Sequence, residues 1–294
     1  MAHKTLISGT AYSVTGGREL IGGTGYGCKA GKTIIGGTAF TIPFAKGIPL
    51  NTITPGAILY LNESGSPVPF YIAKHDYESG LNGAGRTLLV RKDCYDMRIF
   101  SNSNNAYAGS ALDSWLCNTY IKLLDAGVQT AIGKTKFYYT PGNGNTTMVT
   151  LQRAVFQLSV TELGKTGNNA NIEGNVLPIA SILQIAYRNG SAVAQWTRTP
   201  YKPDIYRVYL ITASNILNVV SYTMKFEAGS RPAFTLPGNL GLAQNADGTY
   251  TLAAYRRTHM GTHHILKDGT SYAIKGGTDL IAGTSYQIWG GERW

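Results

Sequence analysis

Glu162 with Glu173, and Asp93 with Asp96, are carboxylate pairs of the type that supply acid and base in glycoside hydrolysis. That chemistry needs two carboxyl groups facing each other across a cleft, which chain spacing does not establish, and Asp or Glu near turns ordinarily caps or is solvated. Cys94 is flanked by Asp93 and Asp96, and acidic neighbours disfavour the thiolate that a cysteine nucleophile requires. Cys28, Cys94 and Cys117 lie far apart without C-x-x-C spacing, so neither a zinc ribbon nor a disulfide framework is signalled, and free buried thiols are expected. His259 and His263 are four residues apart, with His264 adjacent, and would chelate a metal from one face of a helix. Gly261 argues against a helix there, so a hinge is expected in place of a metal site. Ala30-Gly31-Lys32-Thr33 has the end of a phosphate loop, but Tyr26 stands where the first glycine belongs. These residues give no catalytic constellation; the expectation is a protein that is not an enzyme, with no cofactor and no metal.

A second grouping suits recognition better. Arg198, Tyr201, Tyr206, Tyr209, Asn215, Asn218 and Tyr222 fall in one segment with Trp196 and Lys202. Tyrosine gives large, low-entropy contact area, asparagine gives adaptable hydrogen bonds, and sugar rings stack on aromatic faces. These residues are expected to form a ligand-binding surface for a glycan or a protein, with about half of the tyrosines and Trp196 in the core. Arg231, before Pro232, is expected to be structural, donating to backbone carbonyls.

The elements that must position these groups are legible in part. The chain has 294 residues, enough for a sizeable core. Charged residues are 14% of it, against about 25% in ordinary soluble domains, while 36 glycines and 19 tyrosines point to turn-rich β-structure with an uncharged polar surface. Lys and Arg outnumber Asp and Glu by 26 to 16, giving +10, but the basic residues are scattered. No basic arm forms, so specific nucleic-acid binding is not expected. No apolar run has signal-peptide length, and the stretch 208–224 is interrupted by polar residues, so membrane insertion is not expected.

A repeat brackets the chain. Leu6-Ile-Ser-Gly-Thr10-Ala-Tyr12, Leu20-Ile-Gly-Gly-Thr24-Gly-Tyr26 and Ile34-Ile-Gly-Gly-Thr38-Ala-Phe40 recur every 14 residues, and Leu266-Lys-Asp-Gly-Thr270-Ser-Tyr272 and Leu280-Ile-Ala-Gly-Thr284-Ser-Tyr286 repeat the unit at the other end. A unit reads as about one strand plus a glycine turn, too small to be stable alone. Both ends are therefore expected to build one β-repeat module, with residues 1–42 and 263–294 bracketing a domain at 43–262, and to dock it to partners or to other copies. In the middle, helical period runs over 110–125, with Ser110 as cap, Asp113 in a capping box and Gly127 as terminator, and a shorter helix is expected over 178–187. Strands are expected at 58–62, 70–74, 87–92, 154–158, 206–212, 217–225 and 233–236, which makes the class α+β.

The Gly-Gly-Thr units, followed in order by Asp93-Cys-Tyr-Asp96, Ser101-Asn-Ser-Asn-Asn-Ala-Tyr107, Ser114-Trp-Leu-Cys-Asn118, Val155-Phe-Gln-Leu-Ser159, Gln195-Trp-Thr-Arg-Thr-Pro200 and Arg231-Pro-Ala-Phe-Thr-Leu-Pro237, resemble a family of tailed-bacteriophage and prophage proteins. That family carries a domain related to C-type-lectin-like and formylglycine-generating-enzyme-like folds. The resemblance implies a C-type-lectin-like central domain and a virion structural protein of the tail fibre, tail tip or baseplate, assembled in the host cytoplasm. It would contact other virion proteins and present a surface for a host cell-surface glycan or protein. Calcium motifs of the Glu-Pro-Asn and Trp-Asn-Asp kind are absent, which argues against calcium-dependent sugar binding. The alternatives are a head decoration or head-fibre protein and a tail-associated cell-wall or polysaccharide hydrolase. A homo-oligomer, with a trimer as first expectation, would cover the edges of the repeats.

Overall fold

The computed structural model describes residues 47–221 and 226–253, together with the strands of five hairpins in the terminal segments. The chain divides into two compact units, Met1–Gly47 with Ala253–Trp294, and Ile48–Leu252. The architecture is mixed α+β and dominated by sheet.

In the terminal unit the 14-residue repeat is a two-stranded hairpin, not the single strand expected. His3–Ile7 pairs with Thr10–Val14, Arg18–Ile21 with Thr24–Gly27, and Gly31–Ile35 with Thr38–Ile42. His263–Lys267 pairs with Thr270–Ile274, and Gly277–Ile281 with Thr284–Ile288. Ile7 sits opposite Thr10 and Ile281 opposite Thr284, leaving two residues between the strands, the connection length at which Gly-containing pairs are favoured. Because the strands have only four or five residues, two of them fit within one period. Thr10, Tyr12, Thr24, Tyr26, Thr38, Phe40, Thr270, Tyr272, Thr284 and Tyr286 all fall on the second strand of their hairpins. His263 opens a strand, so a helical pairing with His259 does not apply. His259 and Tyr222 lie outside the described residues.

The central unit is built on two sheets. The larger runs in the order Val155–Phe156, Ala233–Pro237, Arg86–Arg91, Ser66–His75, Ile58–Glu63, Tyr250–Leu252, Gly241–Gln244 and Ile48–Pro49. The smaller runs Met97–Ile99, Glu227–Gly229, Gln195–Pro200, Arg207–Ile211 and Leu217–Ser221. Alternation explains the half-covered strands: in Ile58–Glu63, Leu59, Leu61 and Glu63 are buried and their neighbours less so. Each expected strand contains a strand here, though 154–158 shrinks to Val155–Phe156.

The helix Ala111–Asn118 starts as the sequence indicates, with Ser110 Oγ accepting the Asp113 N–H at 3.0 Å. The Asp113 carboxylate reaches one residue further back than a capping box, accepting from the Gly109 N–H at 2.8 Å, and it also holds Arg153 through Nε and Nη2, each at 2.8 Å. The helix does not continue to 125. A tighter turn follows at Tyr120–Leu123, and Leu124 then becomes extended because it bridges to Glu63, while Leu123 O accepts the Ser64 N–H. Gly127 lies inside a new helix, Ala126–Ala131, and does not terminate one. The helix expected over 178–187 is reduced to Ala180–Leu183, because Ala186–Arg188 pairs with Ser191–Val193.

Gln195–Pro200 decides the interior. Trp196 pairs with Leu210 and Pro200 with Val208, so this strand spends four steps where its neighbour spends two. The extra residues carry Arg198 away from regular pairing: its N–H donates to Leu158 O at 2.9 Å, outside the sheet. All six residues of the strand are buried, because it is covered on both faces. Trp196 is in the core as expected, with its indole N–H donating to Arg98 O at 2.7 Å and its ring edge-on to Phe100.

Candidate functional site

Arg198 does not lie on a binding surface, as its neighbours in sequence led one to expect. It is fully buried at the centre of the unit. Nη1 donates to Glu162 Oε2 at 2.6 Å and to Gln157 O at 3.0 Å, and Nη2 to Tyr138 O at 3.0 Å. Glu173 Oε2 lies 3.9 Å from Nε, and its two oxygens also accept from the Thr140 N–H at 2.6 Å and the Thr199 hydroxyl at 2.7 Å. Glu162 accepts in addition from the Tyr77 hydroxyl and from the Ser159 N–H at 2.8 Å.

Glu162 and Glu173 are therefore two carboxylates sharing one guanidinium inside the fold, not an acid and base across a cleft. Burial works against the Arg198 charge, but Glu162, Tyr77 and Glu173 outweigh it and raise its pKa. Burial raises that of Glu173, although Arg198 and two hydrogen-bond donors pull the other way. Of the other pair, Asp96 is engaged structurally, pairing with Arg98 at 2.7 Å and accepting from the Ser230 hydroxyl at 2.8 Å.

Cys94 is buried and its thiol is pushed up to about 11, first by burial and only then by Asp93 and Asp96, with Arg231 and Arg91 opposing. Cys117 is likewise pushed up to about 11 by burial and by Asp113. Arg231 has the structural role the sequence indicates. Its guanidinium donates to Arg91 O at 2.9 Å, Leu183 O at 2.7 Å and Lys92 O, joining the main sheet to the helix Ala180–Leu183.

Three of the remaining recognition candidates, Tyr201, Tyr209 and Asn215, gather around a loop that sequence reasoning missed, residues 165–171. Tyr201 and Tyr209 meet edge to face with ring centres 5.7 Å apart. Asn169 joins them, its N–H donating to the Tyr209 hydroxyl at 3.3 Å and its amide to the Tyr201 hydroxyl at 3.4 Å. Tyr209 is buried beneath this arrangement, against the expectation that it lies on the surface. Gly167 passes so close to it that a Cβ would stand 2.8 Å from the ring, so the loop can cover Tyr209 only with glycine there.

At one end of the loop Lys165 Nζ donates to Asn215 O at 2.9 Å, and the Asn215 amide donates to Gln184 Oε1 at 3.1 Å. At the other end Lys202 Nζ donates to Asn171 Oδ1 at 3.1 Å, while Asn171 reaches back to Thr146 O at 2.7 Å. Tyr206 is 49% exposed on the adjoining segment. Asn218 is exposed, and its side chain accepts the Val219 N–H at 2.8 Å on the outermost strand of the smaller sheet.

The 201–207 segment is held from below by Asn105, which is buried. Its amide donates to Tyr201 O, Asp204 O and Arg207 O at 3.2, 2.9 and 3.0 Å, and its carbonyl accepts the Asn143 N–H at 2.7 Å. The available sequence signal for the missed loop was the asparagine cluster at Asn168, Asn169 and Asn171 beside Gly167.

A sheet-dominated α+β domain with a buried arginine–carboxylate centre and a tyrosine–asparagine surface is thus the class defined here. Residues 84–238 match the family described as Domain of unknown function (DUF6273), and the chain belongs to that family. The match runs from the strand Arg86–Arg91 through Ala233–Pro237, taking in Asn105, Arg198 and the 165–171 loop but not the terminal hairpins. No curated protein and no solved structure matches the chain.

Proposed function

We propose that this is a non-enzymatic structural protein of a phage particle, associated with the tail, whose central unit presents an adhesion surface to the host cell. The observation that carries the non-enzymatic half is the fate of Glu162 and Glu173. The two residues best suited to hydrolysis are sealed in the core on Arg198, whereas the uncharged polar and aromatic groups around Asn169 and Tyr201 reach the surface. The phage half rests on the ordered motifs of the sequence and on the terminal repeats.

In this reading the central unit has a C-type-lectin-like fold and the terminal hairpins dock it to other virion proteins. Because two-stranded hairpins have open edges, a homo-oligomer, a trimer in the first instance, would supply the missing neighbours. Gold-labelled antibody applied to released particles tests the placement. Label at the tail tip is the expected result, label over the head favours a decoration protein, and unlabelled particles end the virion reading.

A further inference from the structure

We infer that the surface formed by residues 165–171 and 201–202 takes an anionic polysaccharide, with Lys165 and Lys202 contacting its charged groups and Asn169 and Tyr201 contacting its sugar or polyol units. The inference rests on the adhesion reading and adds the chemical class of the ligand.

The two lysines stand at opposite ends of one loop, and each ammonium is held by a neutral acceptor: Lys165 by Asn215 O and Lys202 by Asn171 Oδ1. Neither forms an ion pair with any carboxylate among the described residues. The nearby acid, Asp204, is engaged by Arg207 Nε at 3.1 Å. Both side chains are half-buried, so these are positioned charges rather than waving ones.

An ammonium has three donors, and a single hydrogen bond to an amide or peptide oxygen leaves its charge uncompensated, which favours a phosphate or carboxylate from outside. Between the lysines the surface offers neutral groups, the Asn169 amide and the Tyr201 ring and hydroxyl, which suit hydroxyl-bearing units. The net charge of +10 would draw such a polymer towards the protein at long range. A repeating polymer carries more than one anionic group and can engage both charges, one held at Asn215 O and the other at Asn171 Oδ1.

The test is binding of the full-length protein to immobilised poly(glycerol phosphate), polygalacturonate, neutral dextran and duplex DNA, at low and at raised salt. The phosphate and carboxylate polymers distinguish the two sources of negative charge. Binding to at least one of them, weakened roughly tenfold or more by raising the salt several-fold, is expected. The double variant Lys165→Gln, Lys202→Gln should bind about tenfold more weakly with an unchanged thermal midpoint, and Lys165→Arg, Lys202→Arg should restore binding. Equal binding to dextran, equal binding to DNA, no binding to either anionic polysaccharide, or a Gln double variant that binds as tightly as wild type would each overturn the inference. Host envelopes that still bind the Gln double variant would overturn it while leaving adhesion intact, whereas envelopes that bind neither form would remove adhesion itself.

Discussion

Arg198 Nη1 and Glu162 Oε2 lie 2.6 Å apart with both side chains fully buried, and Glu173 completes the group from the far side of the same guanidinium. Removing one member of such a set leaves the others as uncompensated charges in the core. Arg198→Met should therefore cost about 3–5 kcal/mol in urea unfolding, and Arg198→Lys should also destabilise, since an ammonium cannot reproduce the planar fork. The combined change Arg198→Met with Glu162→Gln should recover part of the loss. A cost for Arg198→Met below about 1 kcal/mol would contradict the structural role.

Glu78 gives the fold a pH dependence. It is 7% exposed, its backbone is left-handed at φ 46°, and its Oε1 is buried without a hydrogen-bond partner. It lies against Gly174, itself at φ +89°, from which Glu162 Oε1 is also within reach. Burial and then Glu162 raise its pKa, with Lys74 and Arg198 opposing. The folded state thus holds the proton more tightly than the unfolded chain. The resulting stability is fully present below the unfolded carboxylate value of about 4.3 and is lost as pH rises through the folded value. Glu78→Gln should flatten this part of the stability–pH curve in thermal melts from pH 4 to 8, leaving the residual slope of Glu173, which shifts in the same direction. Identical slopes for wild type and variant would refute the assignment.

Asn105 should control the geometry of the proposed recognition surface without belonging to it. Asn105→Ala removes three hydrogen bonds to the carbonyls of residues 201, 204 and 207 and one to Asn143. A loss of about 2 kcal/mol is expected, with faster hydrogen exchange confined to 201–207 and the adjoining 142–145 turn. Uniform loss of protection through both sheets would mean that Asn105 supports the whole fold instead.

The sequence was most informative where one local rule decides the outcome. Ser110 caps its helix because a hydroxyl just before an apolar run has an N–H to accept from, and Arg231, locked beside Pro232, finds carbonyls. It was least informative where a distant strand decides. Leu124 leaves the helical period only because Glu63 is there to bridge it, and no propensity scale contains that contact.

Arg198 was misplaced because charged residues are ordinarily exposed and because the strand around it is covered on both faces, so alternation carries no signal. The 165–171 loop was overlooked because its residues acquire their role from Tyr201, Tyr209 and Lys202, more than thirty residues later in the chain. The repeat itself was legible, but not that each period folds back on itself, since two very short strands and one longer strand have the same length in residues.

The central claim is that the protein holds a host surface without cutting it. The direct test is incubation of the purified full-length protein with purified host envelopes, measuring bound protein by sedimentation and released reducing ends in the same tube. Saturable binding with no release above the protein-free control is the predicted result. Release that continues with time and scales with protein concentration would contradict the account, and would mean that a catalytic centre exists elsewhere than at Glu162 and Glu173.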